Sequence, residues 1–314
     1  MPPRIPTRAA LRCPSGRLFS TSYSRLSKVE LAYTRHDPHH PTTEPHSPIL
    51  LMHGLFGSQR NNRTMSKVLA RDLSRPVYTL DLRNHGDSPH AATHTYTSMA
   101  EDVEAFISTH SIPTPILIGH SMGAKVAMTM ALRHPTAYSA LIPVDNAPID
   151  AALKSDFGAY VTAMKKIEDA RPPITKQSEA DAILAEYEKE VSIRQFLLTN
   201  LVKGPVATAE GNGQTKPQTA LRWRIPLQTL AKSLPDMADF PFRQTGEARY
   251  EGPTLIVRGT KSHYVSDESL PVIGSFFPRF ELLDIEAGHW VMSEKFEEFR
   301  AGAVEWIKRV VDRE

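Results

Sequence analysis

The pentapeptide Gly119-His120-Ser121-Met122-Gly123 constrains the fold of this chain more than any other stretch. It lies between an apolar run, Pro115-Ile116-Leu117-Ile118, and a run of helix formers from Ala124 to Leu132. That context reads as strand, tight turn, helix. A serine at such a turn is pushed out of the sheet edge with strained backbone angles. The flanking glycines are required because side chains there would collide with the neighbouring strand and helix. The bare pattern arises by chance in roughly one chain in twenty of this size at ordinary Gly and Ser usage. Its weight therefore comes from its place between strand and helix.

Other short apolar runs repeat the theme. Val29–His36 reads as an opening strand, followed by Ile49–His53, Val77–Asp81, Ile116–Gly119 and Ala140–Asp145, and later by Pro253–Gly259 and Phe280–Ile285. Continuous apolarity over four to six residues suits strands buried on both faces, as in a parallel sheet covered by helices. Ser98-Met99-Ala100-Glu101 reads as a capping box opening a helix with Val103, Phe106 and Ile107 on one side. Pro135 ends the helix that follows Ser121. A last helix over about 293–312 places Phe296, Phe299, Ala303, Ile307 and Val310 on one stripe. Alternating strands and helices predict an α/β fold with a mostly parallel, doubly wound sheet. Residues 147–245 break the rhythm with helical patterns and no strand pattern. Asp181–Val191 is charged, Arg194–Val202 is more apolar, and Lys203–Gln218 is a Gly/Thr/Pro-rich tract expected to be a loop. The segment reads as a helical lid inserted between core pieces 29–146 and 246–314.

The formal net charge of +2 hides an asymmetry. Six of the 37 Lys and Arg lie in the first 28 residues, which hold no acid, leaving 31 bases against 35 acids and a net of −4 in the remainder. A basic, nucleic-acid-seeking surface is not supported. Residues 1–28 are Arg- and Ser-rich with Leu11, Leu18, Phe19 and Leu26 interspersed, the composition of a mitochondrial transit peptide, with Arg17–Ser20 as a processing region. A mitochondrial location is therefore expected. Cys13, the only cysteine, lies in that segment, so its removal would exclude disulfides, a cysteine nucleophile and cysteine-based zinc sites. No stretch approaches the roughly 18 apolar residues of a membrane helix. His39, His40 and His46 sit in a Pro/His/Thr loop without carboxylate spacing and read as a solvated loop. No metal or cofactor is expected.

A serine hydroxyl needs a base, and the base needs a third group to hold its tautomer. His289, just past the strand Phe280–Ile285 in Glu286-Ala287-Gly288-His289-Trp290, falls at the same sheet edge as Ser121 and is the candidate base. His94, His110, His134 and His263 read as surface or core residues. The acid has two candidates. After Gly259 the position usual for the acid holds Lys261 and Ser262, and Asp267 arrives late. Asp145 ends a strand one place nearer Ser121 and is favoured, since triads are recognised by geometry and not by position. The oxyanion donors are expected to be the N–H of Met122, at a helix N-terminus, and that of Leu55 in the loop His53–Gly57. His53 itself reads as loop scaffold, and Asp81–Ser88 as a structural turn held by Asp and Arg.

His53–Gly57, Asp81–Pro89, Gly119–Lys125, Val144–Pro148, Arg222-Trp223-Arg224 and Gly288–Val291 together resemble the mitochondrial α/β-hydrolase domain-11 family. That group includes bacterial small esterases and yeast ethanol acetyltransferases. The resemblance spans about residues 49–312, and Arg83–Pro89 and Gly119–Gly123 are its most specific parts. It implies the α/β-hydrolase fold and, by the family pattern, Asp145 as the acid. Ala124 departs from the glycine of many relatives, and the lid differs most among them. The function expected is a serine hydrolase of carboxylic esters or acyl thioesters, acting on a small acyl ester or acyl-CoA through Ser121, His289 and Asp145. An alcohol O-acetyltransferase using acetyl-CoA and ethanol is the alternative on the same acyl-enzyme. A non-catalytic mitochondrial scaffold is a third reading.

Overall fold

A computed structural model describes residues 28–38, 46–150, 157–205, 219–243, 246 and 248–313. The expected transit peptide up to residue 27, Cys13, His39, His40 and most of the Lys203–Gln218 tract lie outside the described residues. The first half of the chain runs β1 (Tyr33–His36), β2 (Ile49–Met52), α1 (Arg63–Leu73), β3 (Val77–Leu80), α2 (Tyr96–Thr109), β4 (Ile116–His120), α3 (Met122–Arg133) and β5 (Ala140–Val144). Next come α4 (Phe157–Glu168), α5 (Gln177–Leu184), α6 (Val191–Leu198), β6 (Leu201–Pro205), β7 (Thr219–Trp223), α7 (Leu227–Lys232) and α8 (Leu234–Ala238). The chain closes with β8 (Thr254–Gly259), α9 (Leu270–Phe276), β9 (Phe280–Ile285), α10 (Val291–Glu294) and α11 (Phe296–Trp306).

Seven strands form one sheet in the order β1-β3-β2-β4-β5-β8-β9. All neighbours are parallel except β1, which runs antiparallel to β3. Alternate side chains serve opposite faces, as the two-residue period of a strand demands. Leu50, Met52, Leu117 and Leu141 pack with α2 and α3 on one face, while Ile49, Leu51, Ile116, Ile118 and Ile142 pack with α1 and α11 on the other. This double burial explains the continuous apolar runs. The α/β, mostly parallel doubly wound sheet expected from sequence is what forms. Because the strands are parallel, the loops after β2, β4, β5, β8 and β9 share one edge, where such sheets place their sites.

Three local expectations need correction. The helix expected to open at Ser98 begins earlier: Thr95 is its N-cap, and Ser98 is the third residue, its hydroxyl reaching back to the Thr95 backbone. A serine does there what the glutamate at 101 was expected to do. The C-terminal helix is broken at Lys295 (φ −131°, ψ 53°), which separates α10 from α11, and the Glu294 carboxylate accepts from the Gly288 and Trp290 N–H groups at the start of α10. It ends in a π-helical turn over Ile307–Val311. The segment between β5 and β8 is not all helical: β6 and β7 pair as an antiparallel hairpin, so Lys203–Pro205 belong to a strand. Both strands are mostly half-exposed, so neither carries the apolar run that marks the central sheet. No helix among the described residues is long and apolar enough to cross a membrane.

Candidate active site

Ser121 follows β4 directly and serves as the N-cap of α3, with φ 54° and ψ −113°. A β-carbon on Gly119 would lie 2.1 Å from the Gly123 carbonyl oxygen, and one on Gly123 would lie 2.6 Å from that of Met52. Neither clash can be relieved by a rotamer, so both glycines are obligatory for the turn. Asn146 Nδ2 donates to the Ser121 carbonyl oxygen at 3.1 Å and holds the left-handed residue from outside its own helix. Asp145 sits one residue past β5 and also adopts positive φ, 52°.

The structure brings Ser121, His289 and Asp145 into one hydrogen-bonded chain. Ser121 Oγ and His289 Nε2 are 2.8 Å apart, and His289 Nδ1 is 2.7 Å from Asp145 Oδ2. The Asp145 side chain is fully buried, that of His289 is 14% exposed, and Ser121 is buried. A buried carboxylate needs donors on all sides. Asp145 receives two more, the Gly259 N–H on Oδ1 at 3.0 Å and the Ser262 hydroxyl on Oδ2 at 2.6 Å. The second candidate acid is elsewhere: Asp267 is exposed and paired with Arg258 at 2.6 Å. Lys261 faces solvent and meets Glu286 at 3.1 Å.

Leu55 lies in the loop after β2 and Met122 at the first helical position of α3. The loop abuts the serine: a β-carbon on Gly54 would lie 3.2 Å from that of Ser121. Two buried histidines fix it. His53 Nε2 accepts from the Leu82 N–H at 3.0 Å, so its Nδ1 carries the proton and donates to the Gly54 carbonyl at 2.8 Å. His85 Nε2 accepts from the Phe56 N–H at 3.1 Å while its Nδ1–H donates to the Arg83 carbonyl at 3.0 Å. Burial pushes His53 down to about 4 and His85 to about 3, so both are neutral struts at neutral pH. The Asp81–Ser88 turn is structural, as its composition suggested. Asp81 accepts from the Gln59 and Asp87 N–H groups, and Arg83 pairs with Asp102 through two bonds of 2.6 and 2.7 Å.

Four residues at the site escaped the sequence reading. Ser262 stands where an acid is usual, and its hydroxyl supports the Asp145 carboxylate instead. Tyr264 stacks on His289 at 4.1 Å between ring centroids. His120 Nε2–H donates to the His289 carbonyl at 2.8 Å, and burial holds its pKa down to about 4. Asn146 braces the serine. Of these only Ser262 had a visible sign, its position after Gly259.

Three clefts border Trp290 among the described residues, and two of them adjoin the loops that carry His289 and Gly54. One, about 330 Å³, is lined by Phe157, Tyr160, His263, Tyr264 and His289. The other, about 510 Å³, is lined by Gly54, His120, Gln195 and Phe196 and does not reach Ser121 or His289. The smaller cleft is the one that opens onto the histidine. The segment between β5 and β8 forms a wall of both, and Phe196 on α6 packs on Trp290 at 4.5 Å. Among the described residues no group of three or more His, Cys, Asp or Glu is placed to hold a metal ion.

The alpha/beta hydrolase fold family matches residues 47–296. A probable alcohol acetyltransferase of Saccharomyces cerevisiae is 42% identical over 276 residues, covering 86% of this chain and 79% of the yeast protein. An sn-1-specific diacylglycerol lipase ABHD11 of Xenopus laevis is 41% identical over 255 residues, covering 80% of this chain and 77% of the frog protein. A solved marine microorganism esterase superposes with a TM-score of 0.76 at 29% identity, covering 88% of this chain and 99% of its own. The chain belongs to the α/β-hydrolase fold family, in the group that holds the ABHD11 lipases and the yeast alcohol acetyltransferases.

Proposed function

We propose that this protein is a serine hydrolase of carboxylic esters and acyl thioesters, with Ser121 as nucleophile, His289 as base and Asp145 as the orienting acid. The observation that carries the reading is the unbroken chain from Ser121 Oγ through both nitrogens of His289 to a buried carboxylate. Ser121 Oγ attacks the acyl carbon as His289 Nε2 takes its proton, and the carbonyl π electrons move to oxygen. Leu55 and Met122 N–H groups hold that oxyanion, each such donor being worth about 10²- to 10³-fold in rate. Collapse breaks the bond to the leaving alkoxide or thiolate, which takes the proton from Nε2. Water then gives a proton to His289, attacks the acyl-enzyme and releases the acid, returning the proton to Ser121. Asp145 keeps the proton on Nδ1 and stabilises the imidazolium; it does not take that proton. The segment 147–245 acts as a lid.

Transfer of the acyl group to an alcohol in place of water is the second reading, favoured by the 42% identity to the probable yeast alcohol acetyltransferase. The two differ only in what reaches the acyl-enzyme. Residues 1–28 are proposed to direct mitochondrial import and to be removed; N-terminal sequencing of protein from cells is expected to give a start between about 18 and 30. Intact Met1 in the cytosol rules that out.

The deciding experiment incubates purified protein with p-nitrophenyl acetate and with acetyl-CoA, each with and without ethanol, and analyses products. Ser121→Ala is expected to lower ester turnover by on the order of 10⁴-fold or more and to abolish labelling by a fluorophosphonate probe. A variant that keeps more than a tenth of the activity removes Ser121 from the nucleophile's role. Ethyl acetate in the product mixture would establish transfer.

A further inference from the structure

Lys125 lies one helical turn after Ser121 on α3, yet nothing in the chemistry above uses it. It is only 3% exposed. An ammonium in such a place costs several kcal/mol unless its protons are bonded. All three are: Nζ donates to the carbonyl of Ile149 at 3.0 Å, of Ala238 at 2.9 Å and of Asp239 at 2.8 Å. Ile149 is where the chain leaves the sheet after β5, and Ala238–Asp239 is where the same segment returns after α8. One side chain therefore grips both ends of the segment that walls the clefts. A methionine would fill the same volume without the desolvation cost, but would leave three buried carbonyls without their donor.

The surroundings support a fixed junction. Tyr96 on α2 lies 5.5 Å below the ammonium with the face of its ring, and its hydroxyl donates to the Met237 carbonyl at 2.8 Å. On the outer side Arg243 spans Asp150 and Asp239, at 2.7 Å to each. Asp150 and Asp239 thus flank the exit and the return, and their charges act on Lys125 from the same two strands of chain.

We propose that Lys125 is a positioning residue that ties the nucleophile's helix to both ends of the crossing segment and so sets the clearance above Ser121. Its bearing on turnover rests on the hydrolase reading; the tether itself does not. Substrates that fill the cleft feel that clearance more than a two-carbon acyl group does. Lys125→Met is therefore expected to raise KM for a bulky ester about ten-fold while changing its kcat less than about three-fold, with a smaller KM effect on p-nitrophenyl acetate.

Hydrogen exchange of the full chain reads the tether directly. In Lys125→Met, amides of α4 and α8 are expected to exchange at least about ten-fold faster, with β4 and β5 unchanged. Leu69→Ala is the control. It opens the layer on the far face of the sheet, loses comparable stability, and is expected to leave α4 and α8 as in wild type. Lys125→Arg keeps a charge and enough donors and is expected to restore most of the protection.

Acid–base behaviour gives a further readout. Burial holds the Lys125 pKa down to about 8, partly offset by Asp150 and Asp239. Below that pH three donors meet three carbonyls; above it the neutral amine has only two. Wild-type KM for the bulky ester is expected to rise as pH passes through about 8, and the arginine variant to stay flat there. Exchange in Lys125→Met that matches Leu69→Ala would overturn the proposal. Exchange needs no turnover, so the tether stands or falls on it even if the protein cleaves no ester, and an unchanged KM for the bulky ester would overturn only the clearance role.

Discussion

Strands β5 and β8 are neighbours, and each ends within reach of the loop that carries His289, yet the two ends are built differently. Past β5 the chain places a left-handed, fully buried Asp145. Past β8 it places Lys261 in solvent, Ser262 as a donor to Asp145, and Asp267 in an ion pair with Arg258. One strand end supplies the charge and the other supplies a proton donor to it. The two ends thus form one buried polar unit, in which the carboxylate accepts from Gly259, Ser262 and His289. A charge can stand at either end of such a unit provided the opposite end offers a hydroxyl or an N–H.

Separate substitutions at the two ends test that division, with kinetics and melting curves taken together. Asp145→Asn is expected to have the largest effect, a loss on the order of 10³- to 10⁴-fold in kcat on p-nitrophenyl butyrate, because the amide favours the wrong imidazole tautomer. Near-normal activity would remove Asp145 from the acid's role. Ser262→Ala is expected to cost about ten-fold, the worth of one hydrogen bond to a charged group. If it matches Asp145→Asn, the serine does more than support the carboxylate. Asp267→Asn is expected to change kcat less than two-fold by the usual weakness of exposed ion pairs. An inactive Asp267→Asn with a normal Asp145→Asn would reverse the assignment of the two ends.

The central sheet was legible because strands buried on both faces leave uninterrupted apolar runs such as Ile49–Met52. That Ser121, Asp145 and His289 would meet at one edge was legible too, since each closes or follows such a run. Much of the rest is written in contacts that local sequence does not encode. The hairpin of β6 and β7 is half-exposed and split by a long tract, so it shows neither a continuous nor an alternating pattern. The partners of Lys125 are backbone carbonyls, 24, 113 and 114 residues away, which any side chain would offer. Nothing in the residues around Tyr264 marks it, because its stacking on His289 depends on the turn after β8 bringing the two rings together.

Ser121 and Asp145 share one property that bears on the history of such a chain. Both are non-glycine residues at positive φ, 54° and 52°. Conformations of this kind cost of order 1–3 kcal/mol each, out of a native stability of about 5–15 kcal/mol. Ser121→Gly is therefore expected to melt at a higher temperature than Ser121→Ala, whose β-carbon keeps the strain. A lineage released from turnover would gain stability with a glycine at Ser121, whereas a glycine at Asp145 would also strip the buried Gly259 and Ser262 donors of their acceptor, and each later change could come to lean on the gain at Ser121. Loss of chemistry in this scaffold runs downhill, while recovery must climb: the site works as an evolutionary ratchet.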